Sequence, residues 1–458
     1  MPEDDVLETW QEQRTSRVLS EGRTPFRVGH FEDEANGGVA WVEGEFIVDA
    51  AGADLLDLDG ARGDADGLVN VPVPWLAPDL RLYRRENDGA STAFLAYVQS
   101  LRRELRSDHA VADPRIGAHY VMSGEMKGTV PRGGPASSPW VAAAVRQPPG
   151  WGTGDPVVAV VDTGIDADAA WVGSVAHDDE DIDPVYATGQ PPSTFGAQGG
   201  HGTFIASLIQ RMAGGDLPLR AVGVLDVDGV ASELDVVKGL ATLRQRPESI
   251  RLLVVNMSLG GFTDEGGWVQ EAEREDAFPA PDRNRMPIGL GGELALWAQE
   301  RPDTVFVAAA GNDGMLRKFW PAALADPTNE PLLVRPFFVA VGSVQRSLRA
   351  STFTNSGPWV SVSTLGEDIV SEHPTGLLPL TPTHSEVFTV RSARWSGTSF
   401  AAPLVSAEIA RIARAQGVVA RQAWDQLLAG LTQKITNLGQ VWDPRDGTSG
   451  PARDPRLP

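Results

Sequence analysis

From Pro156 onward, unbroken apolar runs alternate with helical stretches. The runs are VVAVVDTG at 157–164, LRAVGVL at 219–225, LLVVNMSLG at 252–260, VFVAAAG at 305–311 and FFVAVGSV at 337–344. Helical patterns follow Gly202 and recur near 233–245 and 291–300. A strand that is apolar at every position is buried on both faces, so this alternation predicts a mostly parallel sheet covered by helices on both sides. In such sheets the functional site gathers at the carboxyl ends of the strands. The texture before Pro156 differs. PFRVGHF and GVAWVEGEFIVDA read as strands, split by turn formers at 34–38, and 51–90 reads as Asp-, Gly- and Pro-rich loops. Ser91 to Arg106 carries Phe94, Val98, Leu101 and Leu105 at i, i+4, i+7 and i+11, the stripe of an amphipathic helix. AHYVM at 118–122 reads as a further strand.

The expected fold class is therefore α/β, with a mostly parallel sheet and helices on both faces, plus a smaller N-terminal α+β region. The expected domains are an N-terminal region at 1–122, a Gly/Pro/Ser-rich linker at 123–154, the main domain at 155–430 and a partly disordered tail at 431–458. The first 20 residues read as a polar helix or a frayed arm.

Composition narrows the function. The chain has 458 residues and a formal charge of −22. That balance disfavours non-specific nucleic-acid binding. With no cysteine, disulfides, thiolate metal sites and a cysteine nucleophile are excluded. The start, MPEDDVLETWQEQRTSRV, lacks the apolar core of a secretory signal, and no run approaches a membrane span. The expectation is a cytoplasmic protein with no membrane partner.

Four segments place reactive side chains where a strand ends or a helix begins. In VVAVVDTG the apolar strand ends in Asp162, followed by Thr163 and Gly164. His201 sits between glycines in GGHGTFIAS, at the start of an apolar helix, and imidazole is the side chain best suited to general-base work near neutral pH. Ser399 opens a small-residue helix in RWSGTSFAAPLVSA, where free N–H groups can stabilise an oxyanion. Pro403 is expected in that helix's first turn. Asn312 follows VFVAAAG, and its amide can donate to an oxyanion. Taken singly, each has an ordinary reading as a turn or capping residue. Together they supply a nucleophile, a base, an acid to orient the base and an oxyanion donor on one α/β scaffold.

These segments resemble the subtilisin-like (subtilase) serine proteases. The resemblance rests on VVDTG, GHGTFIAS, NMSLGG, AAAGND and SGTSFAAP, in the order Asp, His, Asn, Ser, and covers roughly residues 155–415. It implies a serine endopeptidase in which Asp162 orients His201, His201 is the base and Ser399 the nucleophile. Asn312 and the Ser399 N–H would form the oxyanion hole. Ser258, Leu259 and Gly260 would lie along the substrate as an extended edge, and Ala309, Ala310 and Gly311 would line a specificity pocket. The pattern departs from the family at DTGIDADAAW and VSTLGEDIVS, which bears on loops and cation sites, and 261–301 is long and charged enough for an insertion near the cleft.

Family members often carry an N-terminal prodomain that assists folding and blocks the cleft. Residues 38–122 faintly resemble one, with AHYVM as a strand running toward the cleft; a permanent accessory domain is the competing reading. The expected partner is a polypeptide substrate, with self-processing of the N-terminal region open. No cofactor is needed for the chemistry. Structural calcium is possible, with the acidic run HDDEDID at 177–183 as a candidate, but no ligand set can be read. Two other functions remain: a catalytically silent binding module on the same fold, and a serine hydrolase acting on esters.

Overall fold

The structure is a computed structural model. It describes residues 28–31, 39–85, 91–108, 116–123, 140–141, 155, 157–183, 194–196, 198–215, 217–226, 228–263, 286–326, 336–381, 384–446 and 455. The expected N-terminal arm, most of the 123–154 linker, residues 264–285 of the expected insertion and the extreme C-terminus lie outside these.

Seven parallel strands form the main sheet. Across it they run Gln440–Val441, Val362–Leu365, Phe337–Val344, Val305–Ala309, Val254–Met257, Val158–Asp162 and Leu219–Gly223. Successive residues feed opposite faces, as the pleat requires. Val158 and Val160 enter a core shared with the helices His201–Ala213, Thr398–Gln416 and Ala420–Ala429. Ala159 and Val161 enter a second core shared with the helices Glu233–Gln245 and Ile288–Glu300.

That second core does not stop at the helices. It continues into Phe46, Val48, Phe94, Leu101 and Met122 of the N-terminal region. This region is an antiparallel sheet in the order Leu68–Val71, Leu80–Arg85, Val39–Asp49, Ile116–Ser123, with Val28–Phe31 paired to the start of Val39–Asp49. Its fifth place is taken by Val230–Ser232, a strand from the main domain that pairs with Val121, Met122 and Ser123. The helix Ser91–Asp108 packs on this sheet with Phe94, Val98, Leu101 and Leu105 all buried, as the stripe predicts.

Several elements depart from expectation. Residues 50–85 hold two six-residue helices, Ala50–Leu55 and Ala61–Asp66, and two strands, where the sequence predicts loops from 51 onward. The first helix is capped by the Asp49 carboxylate on the Gly52 N–H, and the strands are held by register, Leu80–Arg85 on Val39–Asp49 and Leu68–Val71 on Leu80–Arg85, rather than by their own apolar content. Pro403 is the sixth residue of the helix that starts at Thr398, not a first-turn residue. Gln440–Val441, placed in the tail by sequence, joins the edge of the main sheet with Val441 and Trp442 buried. Among the described residues no helix is long and apolar enough to cross a membrane.

Candidate active site

Asp162 ends one sheet strand, Ser258 follows Met257 at the end of its neighbour, and Asn312 lies three residues beyond Ala309 in the next. His201 and Ser399 stand in the first turns of the two helices packed on one face. All five are buried. The sheet thus gathers onto one edge residues separated by up to 237 positions along the chain, from Asp162 to Ser399.

Asp162 Oδ1 lies 2.7 Å from His201 Nδ1 and accepts the Thr163 N–H at 2.8 Å. The contact to a carboxylate oxygen assigns the proton to Nδ1 and leaves Nε2 as the basic nitrogen. The imidazole is walled by Trp395, 5.2 Å between centroids and edge-on, and by Phe400 at 5.3 Å. Phe400 is the residue after Ser399, so this packing seats the base against the N-terminus of the serine helix.

The loops that carry the Asp–His pair are clamped by contacts whose roles sequence reading left unassigned. Thr163 Oγ1 donates to Asp183 at 2.6 Å and accepts the Gly202 N–H at 3.1 Å. The same Asp183 oxygen accepts the Gly200 N–H at 2.9 Å. Gly202 and Gly164 are in direct backbone contact, and a Cβ on Gly202 would fall 2.1 Å from the Gly164 carbonyl oxygen. The glycines of DTG and GHG therefore serve the close approach of two loops.

Ser399 and Ser258 face each other reciprocally. Ser258 Oγ donates to the Ser399 carbonyl at 2.9 Å, and Ser399 Oγ donates to the Ser258 carbonyl at 3.3 Å. Asn312 Oδ1 accepts from the Thr398 N–H at 2.8 Å and from Thr398 Oγ1 at 2.9 Å. A main-chain N–H can only donate, so the amide oxygen is fixed there and the NH₂ end is turned away as a donor, beside Gly397. Leu259 and Gly260 continue the edge from Ser258. One side of Gly260 is filled by Phe319 and Trp320. Its N–H and carbonyl both pair with Ser123, at 2.9 and 2.8 Å. Ala309, Ala310 and Gly311 lie buried on the adjoining strand end, with the Gly311 N–H bonded to Thr398 Oγ1 at 3.1 Å.

His373 is the other histidine in this quarter. It is buried against Phe195, Phe388 and Trp395, and burial pushes its pKa down to about 4, which keeps it neutral packing material. The acidic run at 177–183 does not offer a calcium cage. Asp181 accepts the Asp178 and Gly223 N–H groups, Asp183 is the loop clamp, and Asp178 pairs with Arg246. Among the described residues no group of three or more His, Cys, Asp or Glu side chains is placed to hold a metal.

A parallel sheet with an Asp–His pair beside a helix-borne serine, in that chain order, defines an α/β protein with the makings of a serine hydrolase. A family model described as the subtilase family matches residues 153–442; the chain belongs to that family. It is 34% identical to Mycosin-4 of Mycobacterium tuberculosis over 161 residues, 33% of each chain. It is 27% identical to Subtilisin-like protease 1 of Trichophyton rubrum over 287 residues, 61% of this chain and 45% of that one. The matches thus span less than half the length of these relatives. Among solved structures it is similar to the prenylagaramide maturation protease PagA, with 20% identity and a TM-score of 0.44 over 64% of this chain and 91% of that one.

Proposed function

We propose that the chain is a serine endopeptidase whose N-terminal unit occupies its own substrate edge. The observation that carries the reading is the buried Asp162–His201 hydrogen bond seated against the residue that follows Ser399. Ser399 Oγ attacks the peptide carbonyl carbon while His201 Nε2 takes its proton. The oxyanion accepts from the Asn312 amide and the Ser399 N–H. Collapse breaks the C–N bond, and His201 returns the proton to the leaving amine. Water, deprotonated by His201, then cleaves the acyl-enzyme and frees Ser399. Asp162 fixes the tautomer and stabilises the imidazolium. Fluorophosphonate treatment followed by intact-mass measurement tests the reading: one adduct is expected on protein whose N-terminal unit has been cut or has undocked, and no adduct on folded protein freed of that unit overturns it. Asn312→Ala should lower kcat by about 10²–10³ with KM little changed; an unchanged kcat removes Asn312 from the oxyanion hole.

The Ser123–Gly260 pairing favours peptides over esters. Strand Ile116–Ser123 ends between Val230–Ser232 and Gly260, bonded to both through main chain, which is how an extended peptide is recognised. On this reading the N-terminal unit is an inhibitor in cis.

Its seat carries a titrating group. Glu233, fully buried, accepts the Leu290 N–H at 3.0 Å and the Tyr120 N–H at 3.4 Å across the seam. Next to it His119 donates from Nδ1 to Glu45, itself paired with Arg84, and accepts the Leu234 N–H on Nε2. Burial pushes the Glu233 carboxyl from its ordinary 4.5 up to about 7, against the pull of the Leu290 and Gly289 N–H donors. The docked state therefore holds this proton more tightly than an undocked one, so docking should weaken as pH rises from about 5 to about 7 and then level off. Hydrogen exchange of Ile116–Ser123, corrected for intrinsic rates, should show that loss in Ser399→Ala protein. Adding Glu233→Gln should remove its share; an identical pH profile would refute the assignment.

A further inference from the structure

Pro403 has no N–H. In an α-helix residue 403 donates to the carbonyl of residue 399, so this proline deletes the i→i−4 helical donor of the nucleophile's own carbonyl. A side chain from the substrate edge takes the vacated role, the Ser258 hydroxyl at 2.9 Å. The direction of that hydroxyl is set in turn. Asn256 Nδ2 donates to Ser258 Oγ at 3.0 Å, so the Ser258 proton is directed to the Ser399 carbonyl. Asn256 Oδ1 accepts from Ser406 Oγ at 2.9 Å. Ser406 lies seven residues beyond Ser399 on the same helix, on the face that also carries Pro403. Its hydroxyl also reaches the Ala402 carbonyl at 3.0 Å, the local option of any helical serine. The contact with Asn256 is the one that crosses to the strand.

We infer that Ser406, Asn256 and Ser258 form a hydrogen-bonded relay that positions the main chain of Ser399, made necessary by Pro403. The three are positioning residues, since the relay acts through the Ser399 carbonyl and not on the reacting atoms. All three are uncharged and fully buried, so water does not compete for their bonds and each bond polarises the next. The relay ties the strand end Asn256–Ser258 to the helix of the nucleophile at two levels, two turns apart. Substrate edge and attacking oxygen then move as one body. A shift of about 1 Å between them would cost up to about 10²-fold in rate.

This inference rests on the peptidase reading, and the test separates the two. Ser258→Ala, Ser406→Ala, the double variant and Ser406→Thr are prepared as full chains, with active sites counted by fluorophosphonate titration. Each alanine variant should lower kcat per titrated site by about 10- to 10²-fold, with KM within about twofold. The double variant should be no slower than the slower single, because each breaks the same relay. Ser406→Thr keeps the hydroxyl and should stay near wild type, which loss of packing alone would not predict. Unchanged kcat per site, or effects that multiply in the double variant, would overturn the relay. If Ser258→Ala does not fold, Ser406→Ala against Ser406→Thr decides by the same criterion. A wild type that takes no label even after its N-terminal unit is released refutes the peptidase reading and the relay with it; a labelled wild type with unchanged variants refutes the relay alone.

Discussion

Ser399→Ala should lower kcat by about 10⁶-fold, the scale of loss when a triad nucleophile is removed, and should leave the chain uncut. The first effect follows from the chemistry, since Ser399 stands in the first turn of the helix whose Phe400 packs on His201. The second follows from register. Ser123 and Gly260 exchange both main-chain hydrogen bonds. Antiparallel pairing steps one chain forward as the other steps back, so the position two residues beyond Ser123 falls opposite Ser258. The Ser258 carbonyl already accepts the Ser399 hydroxyl. A chain continuing that register would therefore offer Ser399 the carbonyl of residue 125, and wild-type protein should cut itself between Glu125 and Met126. Both residues lie outside those the structure describes. Intact-mass measurement reads every outcome. A wild type that labels yet stays whole makes the N-terminal unit a permanent accessory. A cut elsewhere refutes the register, and a cut in Ser399→Ala refutes Ser399 as the nucleophile.

What the sequence made legible is what a local pattern can encode. Val158–Asp162 and Phe337–Val344 stand out because a doubly buried strand is apolar throughout, and Glu233–Gln245 because a helical stretch separates such runs; the reciprocal Ser232–Asp235 cap at its start shows only in the structure. Asp162, His201, Asn312 and Ser399 were legible because each ends an apolar run or opens a helix. The clamp and the relay were not. Asp183 reads as one acid in a solvated run until Gly200 and Thr163 are seen to bind it. Asn256 and Ser406 are 150 positions apart, and nothing local to either names the other. Leu68–Val71 and Gln440–Val441 escaped notice because such short strands owe their form to a neighbour's register, not to their own apolar content.

His201→Ala should match Ser399→Ala in activity but differ in stability. Without the base, Ser399 keeps its proton and the triad fails as a unit, so kcat should again fall by about 10⁶-fold. Ser399→Ala removes one oxygen from a partnered pair, while His201→Ala removes a whole buried ring. Asp162 Oδ1 loses its imidazole partner and keeps the Thr163 N–H, at a site with no exposure. A buried acceptor left short of a donor costs about 1–3 kcal/mol, and the gap beside Trp395 and Phe400 adds a cavity term. The expected result is a folded protein with a Tm clearly below that of Ser399→Ala, no fluorophosphonate adduct and no self-cleavage. Two outcomes would count against the assignment. Labelling at the wild-type rate would mean that another group activates Ser399. A Tm equal to that of Ser399→Ala would mean that the buried Asp162–His201 bond does not hold the two loops together.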